Sequence, residues 1–119
     1  MTAAPPRDPQ VLAVRPVTDG VELDLFLSAE LLQFQGHFPG VGVLPGVAQI
    51  DWAVRLADRH LSLTGGIART FRVKFRRVIA PDSPVTLVLR REAAKGRLLF
   101  EYRAGDEVMS SGSVSVGET

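Results

Sequence analysis

The sequence predicts an α+β protein in which an antiparallel sheet wraps around one central helix. Three observations carry that expectation. Short β-prone runs flank a single long helical pattern, the helical pattern is apolar around most of its circumference, and the runs that follow it are joined by dipeptides suited to hairpins. With 119 residues, 45% hydrophobic and 23% charged, the chain has the size and composition of one domain with a real core.

Met1 to Gln10 is Pro-rich and polar and is read as a flexible N-terminal segment, with residues 11–119 forming a single domain. Val11–Val17 and Val21–Leu27 are β-prone runs separated by Thr18-Asp19-Gly20, a combination that favours a tight hairpin. From Phe34 to Gly46 the chain is crowded with Gly36, Pro39, Gly40, Gly42, Pro45 and Gly46, an irregular segment of the kind that often carries function.

Pro45 suits the first turn of a helix, and Val47, Ile50, Val54, Ala57 and Leu61 then recur along one face, so a helix is expected over about residues 45–62. Ala48, Trp52, Ala53 and Leu56 add apolar surface elsewhere, as a helix enclosed by other structure requires. Thr64-Gly65-Gly66 ends it. Phe71, Val73 and Phe75 alternate with Arg72, Lys74 and Arg76, which predicts a strand with one buried and one basic face, broken at Pro81-Asp82. The runs Val85–Arg91, Leu98–Arg103 and Val108–Val116 are separated by Lys95-Gly96 and Gly105-Asp106, giving an antiparallel meander.

Charge and composition exclude several functions. A net charge of +1 with no long Lys/Arg run gives little attraction for nucleic acid. Without cysteine there are no disulfides or thiolate ligands, and two histidines are a poor basis for a metal centre, so no cofactor is expected. No apolar leader and no stretch of membrane-spanning length is present, which by default places the chain in the cytoplasm.

The densest signal is Gly36-His37-Phe38-Pro39-Gly40, followed by Leu44-Pro45-Gly46-Val47 and then by Asp51 inside the helix. Here the chain resembles the 3-hydroxyacyl-[acyl-carrier-protein] dehydratases of fatty-acid synthesis, and Phe75-Arg76-Arg77-Val78-Ile79-Ala80-Pro81-Asp82 extends the likeness over most of its length. The form Leu44-Pro45-Gly46-Val47-Ala48-Gln49-Ile50-Asp51-Trp52 is most similar to the small dehydratase-like proteins of aryl-polyene and related lipid or polyketide clusters. The sequence departs from the family's pattern at Gly42, where proline is usual, and carries Asp51 where many members have glutamate.

The resemblance implies a hotdog fold, a homodimer or higher oligomer whose sites take His37 from one protomer and Asp51 from the other, and a substrate held as a thioester on an acyl carrier protein or coenzyme A. Removing water from a 3-hydroxyacyl thioester takes a base for the C2 proton and a group that holds or protonates the C3 oxygen. Imidazole titrates near neutrality, which suits His37 to the first task. Asp51 suits the second where apolar surroundings favour its protonated form. Negative charge developing on the thioester oxygen would meet the backbone N–H groups of Gly46 and Val47 at the helix N-terminus.

Plainer readings stand beside these. Asp51 and Arg55 are spaced for a helix-surface ion pair, Asp58 is a solvated acid, and His60 belongs to the helix C-terminus. Arg69, Arg72, Lys74, Arg76 and Arg77 form either a solvated sheet face or a landing surface for an acidic carrier. Phe38, Trp52, Phe71 and Phe75 are read as ordinary core. Two other functions compete on the same fold: an acyl-thioester hydrolase, and a non-catalytic acyl-binding or partner subunit.

Overall fold

In a computed structural model, which describes residues 7–34, 43–61 and 66–118, β1 (Gln10–Val17) and β2 (Gly20–Leu27) form the expected hairpin, with Asp19 at φ +59° in its turn. A short 3-10 turn at Leu32–Phe34 follows. The helix α1 runs Gly46–Leu61, within a residue of the expected bounds. Beyond it come β3 (Gly66–Phe75), β4 (Ser83–Glu92), β5 (Arg97–Ala104) and β6 (Glu107–Glu118). The turn between β5 and β6 is Gly105-Asp106, with Gly105 at φ +62°, a conformation that costs glycine nothing. The β4–β5 connection is less tight than a two-residue hairpin: Ala93–Lys95 make a 3-10 turn, closed by Gly96 in the left-handed region.

The strands form one six-stranded sheet in the order β1-β2-β4-β5-β6-β3, each neighbouring pair antiparallel. Register decides which side chains face the helix. Leu23 pairs with Leu87, and Leu87 with Tyr102, while Leu89 pairs with Phe100 and Phe100 with Gly112, so one face of the sheet is a continuous apolar floor. The other face carries Glu22, Val88, Glu101 and Ser111 in one row across the strands and Arg90, Leu99, Ser113 and Arg72 in the next. The alternation at strand period thus separates core from solvent.

Helix α1 lies against the apolar floor through Ala48, Gln49, Trp52, Ala53, Leu56 and Ala57. This buried stripe is not the one the sequence singled out. Ile50, Val54 and Leu61 flank it as half-buried positions, and Val47 is 75% exposed. An apolar helix circumference left the stripe ambiguous, and the placement of Trp52, 1% exposed, resolves it. Full burial of a side chain of that size contributes about 2–3 kcal/mol.

A second difference concerns β3. Its supposed buried face, Phe71 and Phe75, is 58% and 52% exposed, because β3 is an edge strand at the margin of the sheet. Phe71 and Phe75 pair with the buried Val114 and Ser110 and so face the helix side, but little among the described residues covers them. Of the first ten residues, those described are held in place: the Arg7 carbonyl accepts from Trp52 Nε1 at 3.1 Å and Gln33 Nε2 at 2.7 Å, and Asp8 pairs with Arg55. Among the described residues no helix is long and apolar enough to cross a membrane.

Candidate active site

The N-terminus of α1 is built by its own first turn. The carbonyl of Pro45 accepts from the N–H of Ala48 at 3.1 Å and of Gln49 at 3.3 Å, so proline stands at the cap rather than inside the helix. Two orphan donors remain, the N–H groups of Gly46 and Val47, which have no acceptor among the described residues. They are the two donors that the sequence assigned to an oxyanion. The approach is held by Leu44, whose N–H donates to the Ile79 carbonyl at 2.8 Å.

Gly46 is a close-approach position. A Cβ there would lie 2.5 Å from Cζ of Phe75, so the ring at the end of β3 sits directly over the start of the helix. Val43, Val47, Phe75 and Val78 are all exposed by a third or more of their surface. Together with Phe71 they form an apolar margin along the β3 side of the chain, of the kind a partner surface covers.

Asp51 lies one turn beyond Val47 on the same line of the helix. Its side chain is 56% exposed, and Arg55 Nε stands 3.2 Å from its carboxylate. The i,i+4 pair foreseen as the plainer reading is therefore formed. Arg55 is shared, because its guanidinium also meets Asp8. The apolar enclosure expected around Asp51 is not supplied by the described residues, since its helix neighbours Val47 and Val54 leave it open to solvent.

His37 and its neighbours Gly36, Phe38, Pro39, Gly40 and Gly42 lie outside the described residues. Gly46, Val47 and Asp51 are thus brought together on one helix end, and the histidine's distance to them is not part of the described structure. Asp58 is exposed, as expected of a solvated acid. His60 is half-buried, with no hydrogen-bond partner for Nε2 among the described residues.

Sequence reasoning missed three polar residues. Gln49 is 2% exposed, and Ser110 and Tyr102 are fully buried beneath the first turn of α1. Ser110 Oγ donates to Gln49 Oε1 at 2.6 Å, Gln49 Nε2 donates to the Leu44 carbonyl at 3.3 Å, and Tyr102 Oη donates to the Gln49 carbonyl at 2.6 Å. Burial, reinforced by the charge of Asp51, pushes the Tyr102 hydroxyl far above its ordinary range, so it stays a donor. The available signal was Gln49 itself, an amide between Ala48 and the Trp52/Ala53 pair on an apolar helix, where an unbonded amide would be costly.

The basic face resolves into two parts. Arg72 and Lys74 line an open groove of about 680 Å³ on the side of the sheet away from α1, with Arg90, Ser111 and Ser113. Arg76 and Arg77 lie past the end of β3, and Arg77 pairs with Glu107 at 2.8 Å. The side chain of Arg69 is outside the described residues. The groove is on the wrong side of the sheet to hold an acyl chain reaching Gly46 and Asp51.

A six-stranded antiparallel sheet packed against one helix is the architecture of a hotdog protein. The family described as ApeI-like, ApeI dehydratase, matches residues 14–113, and the chain belongs to that family. It superposes on the dehydratase heterocomplex ApeI:P from Xenorhabdus doucetiae with TM-score 0.82 at 31% identity, covering 92% of this chain and 97% of that one. It also matches an uncharacterized protein from Erwinia carotovora subsp. atroseptica, with TM-score 0.80 at 34% identity over 92% and 96% of the two chains. The 3-hydroxyacyl-[acyl-carrier-protein] dehydratase FabZ of Moorella thermoacetica is 36% identical over 100 residues, 71% of this chain and 68% of the relative. The chain spans about half the length, 50–52%, of other curated FabZ relatives it matches.

Proposed function

We propose that the chain dehydrates a 3-hydroxyacyl thioester, carried on an acyl carrier protein or coenzyme A, to the trans-2-enoyl thioester. The observation that carries this is the pair of N–H groups at Gly46 and Val47, without an acceptor among the described residues, one helical turn from Asp51 on an exposed line of α1. In this reading the thioester oxygen accepts from those two N–H groups and the helix dipole adds to them. His37 takes the C2 proton, and Asp51 holds or protonates the C3 oxygen as the C3–O bond breaks and water leaves. The role of Asp51 requires that its ion pair with Arg55 be drawn away or covered when the site closes. Asp8, already on Arg55, offers that cation a second carboxylate.

The apolar margin of Val43, Val47, Phe71, Phe75 and Val78 supports assembly of two protomers along the β3 edge, which would enclose Asp51 and bring the partner's histidine to it. The partner is a second copy in this reading. Because the Xenorhabdus doucetiae structure is a heterocomplex, a related hotdog chain is the second reading. A 3-hydroxyacyl group on a carrier protein is the substrate class that the FabZ likeness supports, and aryl-polyene or fatty-acid intermediates are the proposed members of it.

The test is incubation of the protein with 3-hydroxyacyl carrier-protein thioesters, following loss of water by mass spectrometry and free thiol in the same samples, with His37→Ala and Asp51→Asn alongside. Each variant should lose dehydration by a factor of about 10² or more. Release of thiol without dehydration would make it a hydrolase. No turnover with any thioester, alone or with a related hotdog chain, would leave the binding-subunit reading.

A further inference from the structure

The buried trio beneath α1 holds the polypeptide that presents the two free N–H groups. We propose that Gln49 is a positioning residue that fixes the direction of the Gly46 and Val47 N–H donors, a proposal that rests on those donors facing the thioester. Its amide is 2% exposed on the apolar side of the helix, a place where leucine or methionine would pack at no polar cost. All of its carbonyl and amide groups are used on different parts of the chain. Oε1 takes the Ser110 hydroxyl from β6, Nε2 reaches back to the Leu44 carbonyl, and the main-chain carbonyl takes the Tyr102 hydroxyl from β5.

The consequence lies in peptide geometry. Leu44 is pinned at both ends, its N–H by the Ile79 carbonyl and its carbonyl by Gln49 Nε2. Its peptide with Pro45 then has little freedom to rotate. The next carbonyl, that of Pro45, is fixed by the N–H groups of Ala48 and Gln49. In a trans peptide the C=O and the following N–H point in opposite directions, so a Pro45 carbonyl turned into the helix sends the Gly46 N–H outward. With methionine at 49 the volume is kept, but the Leu44 carbonyl and the Ser110 hydroxyl lose their partner. The 43–45 approach can then swing, and the two donors swing with it. An oxyanion donor displaced by about an ångström loses most of its value, on the order of 10²-fold in rate.

Gln49→Met in the full chain tests this by two readouts. Under the thioester assay, kcat should fall by roughly 10–100-fold with KM within about twofold, the signature of an interaction made in the transition state. In 15N–1H spectra of the same protein, the Gly46 and Val47 amide signals should move or broaden while those of Ala57 to Leu61 stay in place. Ser110→Ala, which removes only one of the three bonds and leaves no large void, should move the same two signals by less. Leu56→Ala serves as the control for stability: it should lower the unfolding midpoint without moving those signals or kcat. Amide signals unchanged in Gln49→Met, or a loss of kcat no greater than in Leu56→Ala, would overturn the proposal. If the wild-type chain dehydrates no thioester, the functional reading fails, and the amide signals alone decide whether Gln49 sets the donors.

Discussion

Gly112→Ala places a methyl group where β6 has no room for one. A Cβ at that position would lie 2.4 Å from the backbone oxygen of Arg72 and 2.9 Å from two ring carbons of Phe100, whereas ordinary contact begins near 3.4 Å. The Phe100 ring is 2% exposed and set edge-on to Tyr102 at 6.0 Å, so it has little space to retreat. The oxygen belongs to the main chain of β3, and moving it by about 1 Å separates β3 from β6 at the Val73–Gly112 pair. One or two ladder hydrogen bonds then stretch beyond useful length, at about 1 kcal/mol each. Overpacking adds about 1–3 kcal/mol, and the lower chain entropy of alanine returns about 0.4–1 kcal/mol. The net cost is about 2–4 kcal/mol, which for a chain of this size lowers Tm by roughly 8–16 °C. Thermal unfolding followed by circular dichroism reads the change, with Ser111→Ala on the open face of the same strand as the neutral neighbour. A fall in Tm under about 3 °C would show that β3 yields freely, and that it does not hold Phe75 over Gly46.

Tyr102 is the chain's single tyrosine, and its raised pKa gives a stability contribution that is complete below the unfolded value near 10 and is lost as pH rises above it. Tyr102→Phe should therefore cost about 1 kcal/mol, near 4 °C in Tm, at pH 7, and the gap should close or reverse by about pH 11. A gap independent of pH would refute the buried neutral hydroxyl. On the outer face, the Arg15 guanidinium, 2.6 Å from Asp24, holds that carboxyl below the ordinary range, so its stabilising effect is present above the unfolded value and fades as pH falls through it. In carboxyl 13C titrations, Arg15→Ala should move the Asp24 midpoint upward, and an unmoved midpoint would mean that the pair is not formed in solution.

Much of the architecture was legible because polarity alternation and turn chemistry are local. Val21, Leu23 and Leu25 against Glu22 and Asp24 declare a two-faced strand whatever surrounds them, and Gly105-Asp106 declares its turn. What was not legible depended on contacts distant in sequence. Which stripe of an almost wholly apolar helix is buried is decided by the sheet register that receives Trp52. Whether Phe71 and Phe75 are core is decided by the position of β3 at the edge, a fact of strand order and not of pattern. In the site, Gly46, Val47 and Asp51 share a helix end because short spacing on a helix is itself local information. Gln49, Tyr102 and Ser110 converge from three elements, and only Gln49 carried a trace of that in the sequence, as a polar residue on an apolar side.

The two margins of the sheet are unlike. Both edge strands carry a register shift, between Val11 and Ala13 in β1 and between Ala68 and Thr70 in β3, but β1 also holds Pro16, which offers no N–H. At the β3 margin, paired on one side only, by β6, Phe71 and Phe75 lie bare. A sheet with two receptive margins can add copies head to tail without end, and fibres are its natural product. With Pro16 interrupting the β1 margin, the proposed assembly would join one β3 margin to another. Such a union would use up the receptive edge of both chains and leave the Pro16-bearing edge at each extremity. Pro16 would in this way fix the stoichiometry of whatever assembly the β3 margin builds, letting an exposed apolar edge persist in a crowded solution without seeding growth.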